Sequence, residues 1–389
     1  MNYRYLLFLP LLLIAACKSP STAIGQETGK SFVAEGEVTT YIGTYTRPEG
    51  HVNGQAEGIY RIGIDPRTGK LGSKMTVAEV TNPSFLKLSA DKQTLYAVSE
   101  LAREGEPTGY IHAYRTGGKK LREISKLPTN GLAPCHIGID KSGKFAMVSN
   151  YVGGATTVYR IAADGSLTHG VTWTFSEEIL GGRPSWLHSA NFSPDNKTIA
   201  LADKGSDQIW LFHLTDDGNS VGLQPHKQLS VKVEQGSGPR HTEWSADGRF
   251  LYVINELSND VTVIARNPQR DRYNVIQTIS TLPEGYTGES YCADLHLHPN
   301  GDFLYGSNRG HNSIAMYAVD KSTGMLTSLG QEPTRGEYPR NFSVDARGNF
   351  LYAANQNTDN ITSYRIGTDG KLTFTGENFK IKTPVCVEY

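Results

Sequence analysis

Arg240 and Glu256 each lie eight residues from Gly248, on opposite sides of the run Ser245-Ala246-Asp247-Gly248. Trp244 closes one β-type run before that turn, and Phe250-Leu251-Tyr252-Val253-Ile254 opens another after it. Aromatic and β-branched runs flanking a Gly-containing loop read as a hairpin. Positions symmetric about the turn of an antiparallel pair come side by side. A guanidinium and a carboxylate are therefore expected together at the open end of this hairpin. Such a pair offers a base and an anion-binding fork, and it is equally the form of a structural ion pair that locks two strands.

The elements that must hold this pair recur along the chain. The turn returns as Ser89-Ala90-Asp91-Lys92, Asp140-Lys141-Ser142-Gly143, Ser193-Pro194-Asp195-Asn196, His298-Pro299-Asn300-Gly301 and Asp345-Ala346-Arg347-Gly348, a period of about 50 residues that suits propeller arrays. The strand after each turn reads LYAVSE, FAMVSN, TIALAD, FLYVIN, FLYGSN or FLYAAN. A third strand follows in every unit, and a fourth begins near Leu121, Leu167, Gln224, Tyr273, Leu326 and Leu372. Four antiparallel strands make a propeller blade. Val38–Tyr45, Gly58–Ile64 and Leu71–Glu79 supply the second to fourth strands of a seventh unit, and Pro384–Glu388 supplies its missing first strand. The expectation is an all-β, seven-bladed β-propeller whose C-terminal strand joins the N-terminal blade, leaving no open edge.

In a blade the first strand lies nearest the axis and begins beside the end of the second. The residues at the place of Arg240 are Ser84, Cys135, His188, Ala293, Arg340 and Val385. At the place of Glu256 stand Glu100, Tyr151, Lys204, Arg309 and Gln356, preceded by Ser99, Asn150, Asp203, Asn308 and Asn355, with Asn255 before Glu256 itself. A position repeated only for packing would hold similar apolar residues. This polar, heterogeneous ring suits a ligand site at one mouth of the channel. Arg340, Asn255 and Asn308 are expected to contact substrate there, as are the adjoining His136, His241 and Asp294. Neighbours along a strand face opposite sides, so packing between blades competes for those last three.

Four strings in blade order carry a resemblance: HSANFSPDNKTIALADKGSDQIWLF from His188, GSGPRHTEWSADGRFLYVINELSNDVTV from Gly236, ADLHLHPNGDFLYGSNRG from Ala293 and YPRNFSVDARGNFLYAANQ from Tyr338. The chain resembles the bacterial 6-phosphogluconolactonase family of seven-bladed propellers, which includes fungal carboxy-cis,cis-muconate cyclases. The resemblance implies hydrolysis of a lactone at a site formed by His188, Arg240, Glu256 and Arg309. All four fall on the mouth positions. Their competing readings are a hairpin ion pair for Arg240 with Glu256, a packing histidine for His188 and a solvated arginine for Arg309. For lactone hydrolysis, Glu256 is the expected general base. Arg240 and Arg309 would grip an anion or stabilise the oxyanion, and His188 would position the carbonyl or protonate the departing ring oxygen. The other function classes are a non-enzymatic propeller binding a ligand or glycan, and a muconate-type cycloisomerase.

The whole composition agrees with strands and turns: 41 Gly and 20 Tyr in 389 residues, with a formal net charge of −1 that gives no electrostatic case for nucleic acid. No Cys/His spacing suggests zinc, so neither metal nor other cofactor is expected. Cys135, Cys292 and Cys386 are an odd set, read as buried thiols. Arg4 followed by the apolar run Tyr5–Ala16 reads as an export leader too short to span a bilayer. Its end, Ile14-Ala15-Ala16-Cys17, resembles a bacterial lipobox with Cys17 lipidated. The expected organisation is a leader over 1–17, a Ser/Thr/Gly-rich tether over 18–36 and the propeller over 37–389. The mature protein would sit in the cell envelope, attached to membrane only through its lipid, with a small-molecule lactone or sugar acid as partner.

Overall fold

The strands of this sequence are apolar on both sides because both faces are covered. In Thr94–Ser99, Phe250–Asn255 and Phe350–Asn355 every residue is buried, as expected where each sheet packs between two others. The computed structural model describes residue 34 and residues 36–175 and 182–389. Among them there are no helices and seven four-stranded antiparallel sheets, each ordered first to fourth strand outward. The expected leader, Cys17 and nearly all of the tether lie outside the described residues.

The closing blade, blade 1, runs Pro384–Glu388, Val38–Thr44, Ile59–Ile64 and Leu71–Ala78. Gly43 pairs with Cys386 and Ile42 with Val387, so the chain ends close the ring as expected. Leu86 N donates to Cys386 Sγ and Leu88 N to Glu388 Oε1 on one side, and Val387 N to Asn341 Oδ1 on the other. Blades 2 to 7 follow in chain order.

Seven apolar clusters fill the seven gaps between neighbouring blades. Tyr41 and Ile59 meet Leu86, Leu95 and Tyr114 between blades 1 and 2, while Ile42 and Ile62 meet Phe350 and Tyr352 between blades 7 and 1. Successive residues of one strand thus serve opposite gaps, the period-2 logic of a pleated strand. A stitch recurs at the outer side of these gaps. Gly324, Gly370 and Gly69 lie so close to Phe250, Phe303 and Phe350 of the preceding blade that a Cβ would stand 2.3–2.5 Å from the ring. Each also has φ near +75°, which only glycine adopts freely. Full burial of one such ring stabilises the fold by about 1.5–3 kcal/mol.

The inner strands carry the feature that shapes the axis. Their pairing slips by a residue at Cys135, His188, Arg240, Arg340 and Val385, and by a residue again across Ala293-Asp294, which together stand against Ser307. Pro239 pairs with Asn255 and His241 with Ile254, leaving Arg240 extruded as a β-bulge. The simple hairpin symmetry expected from the sequence is therefore broken: Arg240 is not opposite Glu256. Likewise Arg309 pairs with Tyr291, not Ala293. A bulge kinks its strand and re-aims a side chain, and here it brings Cys135, His188 and Arg340 to one cavity at the mouth.

Candidate active site

A cavity of about 530 Å³ opens at one end of the axis, lined by His188, Lys204, Glu256, Arg309, Arg340 and Glu100, with His51, Tyr151 and Tyr338 among its other walls. A hollow of about 710 Å³ lies elsewhere, lined by the hairpin turns. Two of its acids serve those turns: Asp247 accepts from Ser245 Oγ, and Asp140 accepts from Ser142 N and Oγ. The smaller cavity holds the convergent charges, and the chemistry is read there.

Glu256 is its centre. Lys204 Nζ donates to Glu256 Oε1 at 2.6 Å, while Arg240 Nε and Arg309 Nη2 stand 3.2 and 3.3 Å from Oε2. Burial works against the carboxylate, but Arg309, Arg240 and Lys204 outweigh it and hold the carboxyl down to about 2. Arg309 is itself fastened, Nη2 to Cys292 O at 2.7 Å and Nε to Tyr291 O at 3.3 Å. Three cations on one carboxylate leave a positive surplus.

Arg340 behaves differently. It stacks over Tyr45 with its guanidinium 5.5 Å from the ring centre, and no ion pair or hydrogen bond ties it to a described residue. The carboxylate that acts on it most, Glu100, accepts from the hydroxyls of Tyr45 (2.9 Å) and Ser84. His188 is buried, its ring edge-on to Tyr151 and to His241. Burial first, then Arg240, His241, Arg340 and Lys204, push its pKa well below the ordinary value, so it is a neutral imidazole.

The structure brings His188, Arg240, Glu256 and Arg309 together, with Arg340 on the same cavity. It places the other expected contacts elsewhere. Asn255 donates to Asp260 Oδ1 (2.6 Å) and Thr262 Oγ1 (2.9 Å), and Asn308 to Thr281 O (3.1 Å) and Ser313 Oγ (3.2 Å). Asn150 and Asn355 likewise donate to the connection from the preceding blade, at Thr129 O and Thr334 O, and to their own third strand, at Ala155 O and Thr362 Oγ1. This repeated asparagine is a latch on its own third strand and, in three blades, on the connection that enters the blade. His136 packs on Phe85 and accepts from Ala190 N, while His241 and Asp294 bind each other at 2.6 Å. These three lie in a buried layer behind Arg240; neither they nor Arg240 lines the mouth cavity, which Arg240 adjoins through Glu256.

Sequence reasoning passed over Lys204 and His51. Lys204 occupied the right repeat position, one blade before Glu256, and only the choice among ring members left it out. His51 comes from a small hairpin, Pro48–Glu49 paired with Val52–Asn53, inserted in blade 1 outside the repeat. It stands 3.3 Å from the Tyr45 hydroxyl, and no periodicity marks it.

Comparison with known proteins adds to this geometry. A family model described as "Lactonase, 7-bladed beta-propeller" matches residues 39–389. A 6-phosphogluconolactonase of Formosa agariphila is 37% identical over 298 residues, covering 74% of this chain and 82% of that protein. A 6-phosphogluconolactonase of Bacillus subtilis is 29% identical over 361 residues, covering 90% and 97%. Among solved structures, a periplasmic gluconolactonase of Pseudomonas aeruginosa superposes with a TM-score of 0.81 at 29% identity, covering 90% of this chain and 98% of that one.

Proposed function

From the premise that the chain belongs to the seven-bladed β-propeller lactonase family, and so is an enzyme that hydrolyses a lactone, we propose that its substrate is a sugar lactone bearing a separate anionic group. The observation that carries this is the charge at the cavity: Lys204 and Arg309 on its wall and Arg240 behind them share one carboxylate, and Arg340 lacks an ion-pair partner among the described residues. An anion-bearing substrate fits such a surplus, with Arg340 offering the planar fork that suits phosphate or carboxylate. The relatives named for 6-phosphogluconolactone support this reading.

The roles then follow from electrostatics. A carboxyl held near 2 with both oxygens engaged is a poor base for water. In this proposal Glu256 is the anchor that gathers the cations, and the base role expected for it passes to His188. Three of the groups that depress His188 are cations, so an anionic substrate offsets them and raises its basicity on binding. The imidazole takes a proton from water as the water oxygen bonds to the lactone carbonyl carbon. Arg240 and Arg309 stabilise the resulting oxyanion. As the ring C–O bond breaks, the imidazolium returns its proton to the leaving ring oxygen, giving the open hydroxy acid.

The leader reading is part of this proposal: export, lipidation at Cys17 and action in the cell envelope, a location to which the periplasmic Pseudomonas aeruginosa neighbour lends support. The discriminating test compares 6-phosphoglucono-δ-lactone with glucono-δ-lactone by pH-stat. Arg340→Gln is expected to raise KM for the phosphorylated lactone by roughly 10-fold or more, and to change the neutral one little. Equal losses on both substrates, or a parent enzyme that prefers the neutral lactone, would overturn the anionic reading.

A further inference from the structure

Behind the cavity a second layer of polar groups contacts Arg240, and its hydrogen bonds have one consistent polarity. Arg240 Nη1 lies 3.3 Å from His241 Nε2 and also donates to Ala293 O. A guanidinium has no acceptor, so His241 Nε2 must be the unprotonated nitrogen. The proton of the neutral ring then sits on Nδ1, which donates to Asp294 Oδ1 at 2.6 Å.

Asp294 is fixed in turn. Leu295 N donates to Oδ1 at 3.0 Å, His296 Nε2 is 3.0 Å from Oδ2, and Asn341 Nδ2 donates to Oδ2. Asn341 cannot be reversed, because its Oδ1 accepts from Val387 N at 2.8 Å. The series runs from the closing strand through Asn341, Asp294 and His241 to Arg240. His241, Asp294 and Asn341 are 6%, 2% and 6% exposed.

We infer that Asp294 and His241 are positioning residues that aim the Arg240 guanidinium at the reacting carbonyl. This rests on the reading, proposed above, that Arg240 acts on a lactone, and it replaces the direct substrate contact expected for His241 and Asp294. An arginine side chain has four rotatable bonds and no intrinsic aim. Held at Nη1 by His241 and Ala293, Arg240 keeps Nε against Glu256, and Nη2 makes no hydrogen bond to any described residue. Partners that fix the tautomer and orientation of an imidazole serve metal-binding histidines in the same way, and here the oriented group is a cation. Burial, then Arg240, hold His241 down to about 4 against the pull of Asp294, consistent with a neutral ring throughout the neutral range.

Two measurements test this. The first needs no activity: 15N spectra of histidine-labelled protein at neutral pH, with the His241 signals identified by their loss in His241→Gln. The neutral Nδ1–H tautomer is expected; an Nε2–H tautomer or an imidazolium overturns the assignment. The second is a kinetic cycle on whichever lactone the parent hydrolyses. His241→Phe is expected to lower kcat about 10-fold or more with KM within about 2-fold, and to add less than about 2-fold in an Arg240→Lys background. His241→Gln, which can accept from Arg240 and donate to Asp294, should stay within about 3-fold of the parent. Losses that multiply in the Arg240→Lys background would show that His241 acts on substrate directly and would sink the inference. So would a well-folded His241→Gln as slow as a soluble His241→Phe, or slow by itself if His241→Phe does not fold. A parent that hydrolyses no lactone would defeat the functional reading, and the tautomer measurement would still decide the aim of Arg240.

Discussion

Glu256→Gln separates a charge anchor from a general base. The substitution keeps the side-chain shape and removes the charge shared by Lys204, Arg240 and Arg309. Holding the carboxyl at about 2 instead of 4.5 corresponds to roughly 3 kcal/mol of stabilisation, at 1.36 kcal/mol per pKa unit. Crowding among the cations offsets part of this: burial, Arg309 and Arg340 lower Arg240 to about 10. All three cations act on Glu256, so its depressed carboxyl sets the sign of the cluster's contribution. The sign of the pH dependence follows from a depressed acid. The stabilisation is complete above the unfolded carboxyl's value near 4.5 and fades as pH falls toward 2, where the parent is protonated as well. Urea unfolding at a series of pH values should therefore show Glu256→Gln less stable by about 2–3 kcal/mol at neutral pH, converging on the parent in acid. His188→Asn should instead leave the melt almost unchanged and lower kcat by roughly 10²–10⁴. A Glu256→Gln protein as stable as the parent but slowed a hundredfold would restore Glu256 as the base and refute this division of roles.

Removing residues 384–389 takes away the inner strand of blade 1 with Val385, Cys386 and Val387, all buried. It should cost more than about 4 kcal/mol, a large part of a domain's stability; a truncated protein that melts with the parent contradicts ring closure. Cys17→Ser should abolish metabolic labelling with palmitate and release the protein from membrane fractions, since stable attachment needs more than one acyl chain. Unlabelled parent protein would refute the lipid anchor.

Most of the architecture was legible because it is repeated. The turn, the apolar second strand and the missing first strand each state the blade plan locally, and their agreement yields the count of seven and the closure. The site was legible as a set of positions, less so as a geometry. A bulge adds a residue without changing the hydrophobic pattern, so the extrusion of Arg240 was invisible, although its guanidinium still meets the Glu256 carboxylate as expected. Asn255 and Asn308 misled for the opposite reason: a polar residue repeated at the mouth looks like a ligand contact, but its amide closes backbone and side-chain hydrogen bonds that hold the blade together. His241 adjoins the Arg240 bulge and Asp294 lies within the bulge of its own inner strand. Their depth depends on the axial packing around Phe85 and His136, which no local string encodes.

The closure of the ring also sets an order of events. Lys204, Arg240, Glu256 and Arg309 come from three consecutive blades, so the cation cluster depends on contacts within about a hundred residues of chain. The opposite wall does not. Arg340 rests on Tyr45, a contact that spans most of the polypeptide, and Asn341, which holds Asp294, accepts from Val387 in the closing strand. Contacts distant in sequence form slowly, and during synthesis this wall must wait for the closing strand to emerge. A nascent or partly folded chain therefore carries the cation cluster without the complete pocket, and the ability to hold substrate arrives with the final strand.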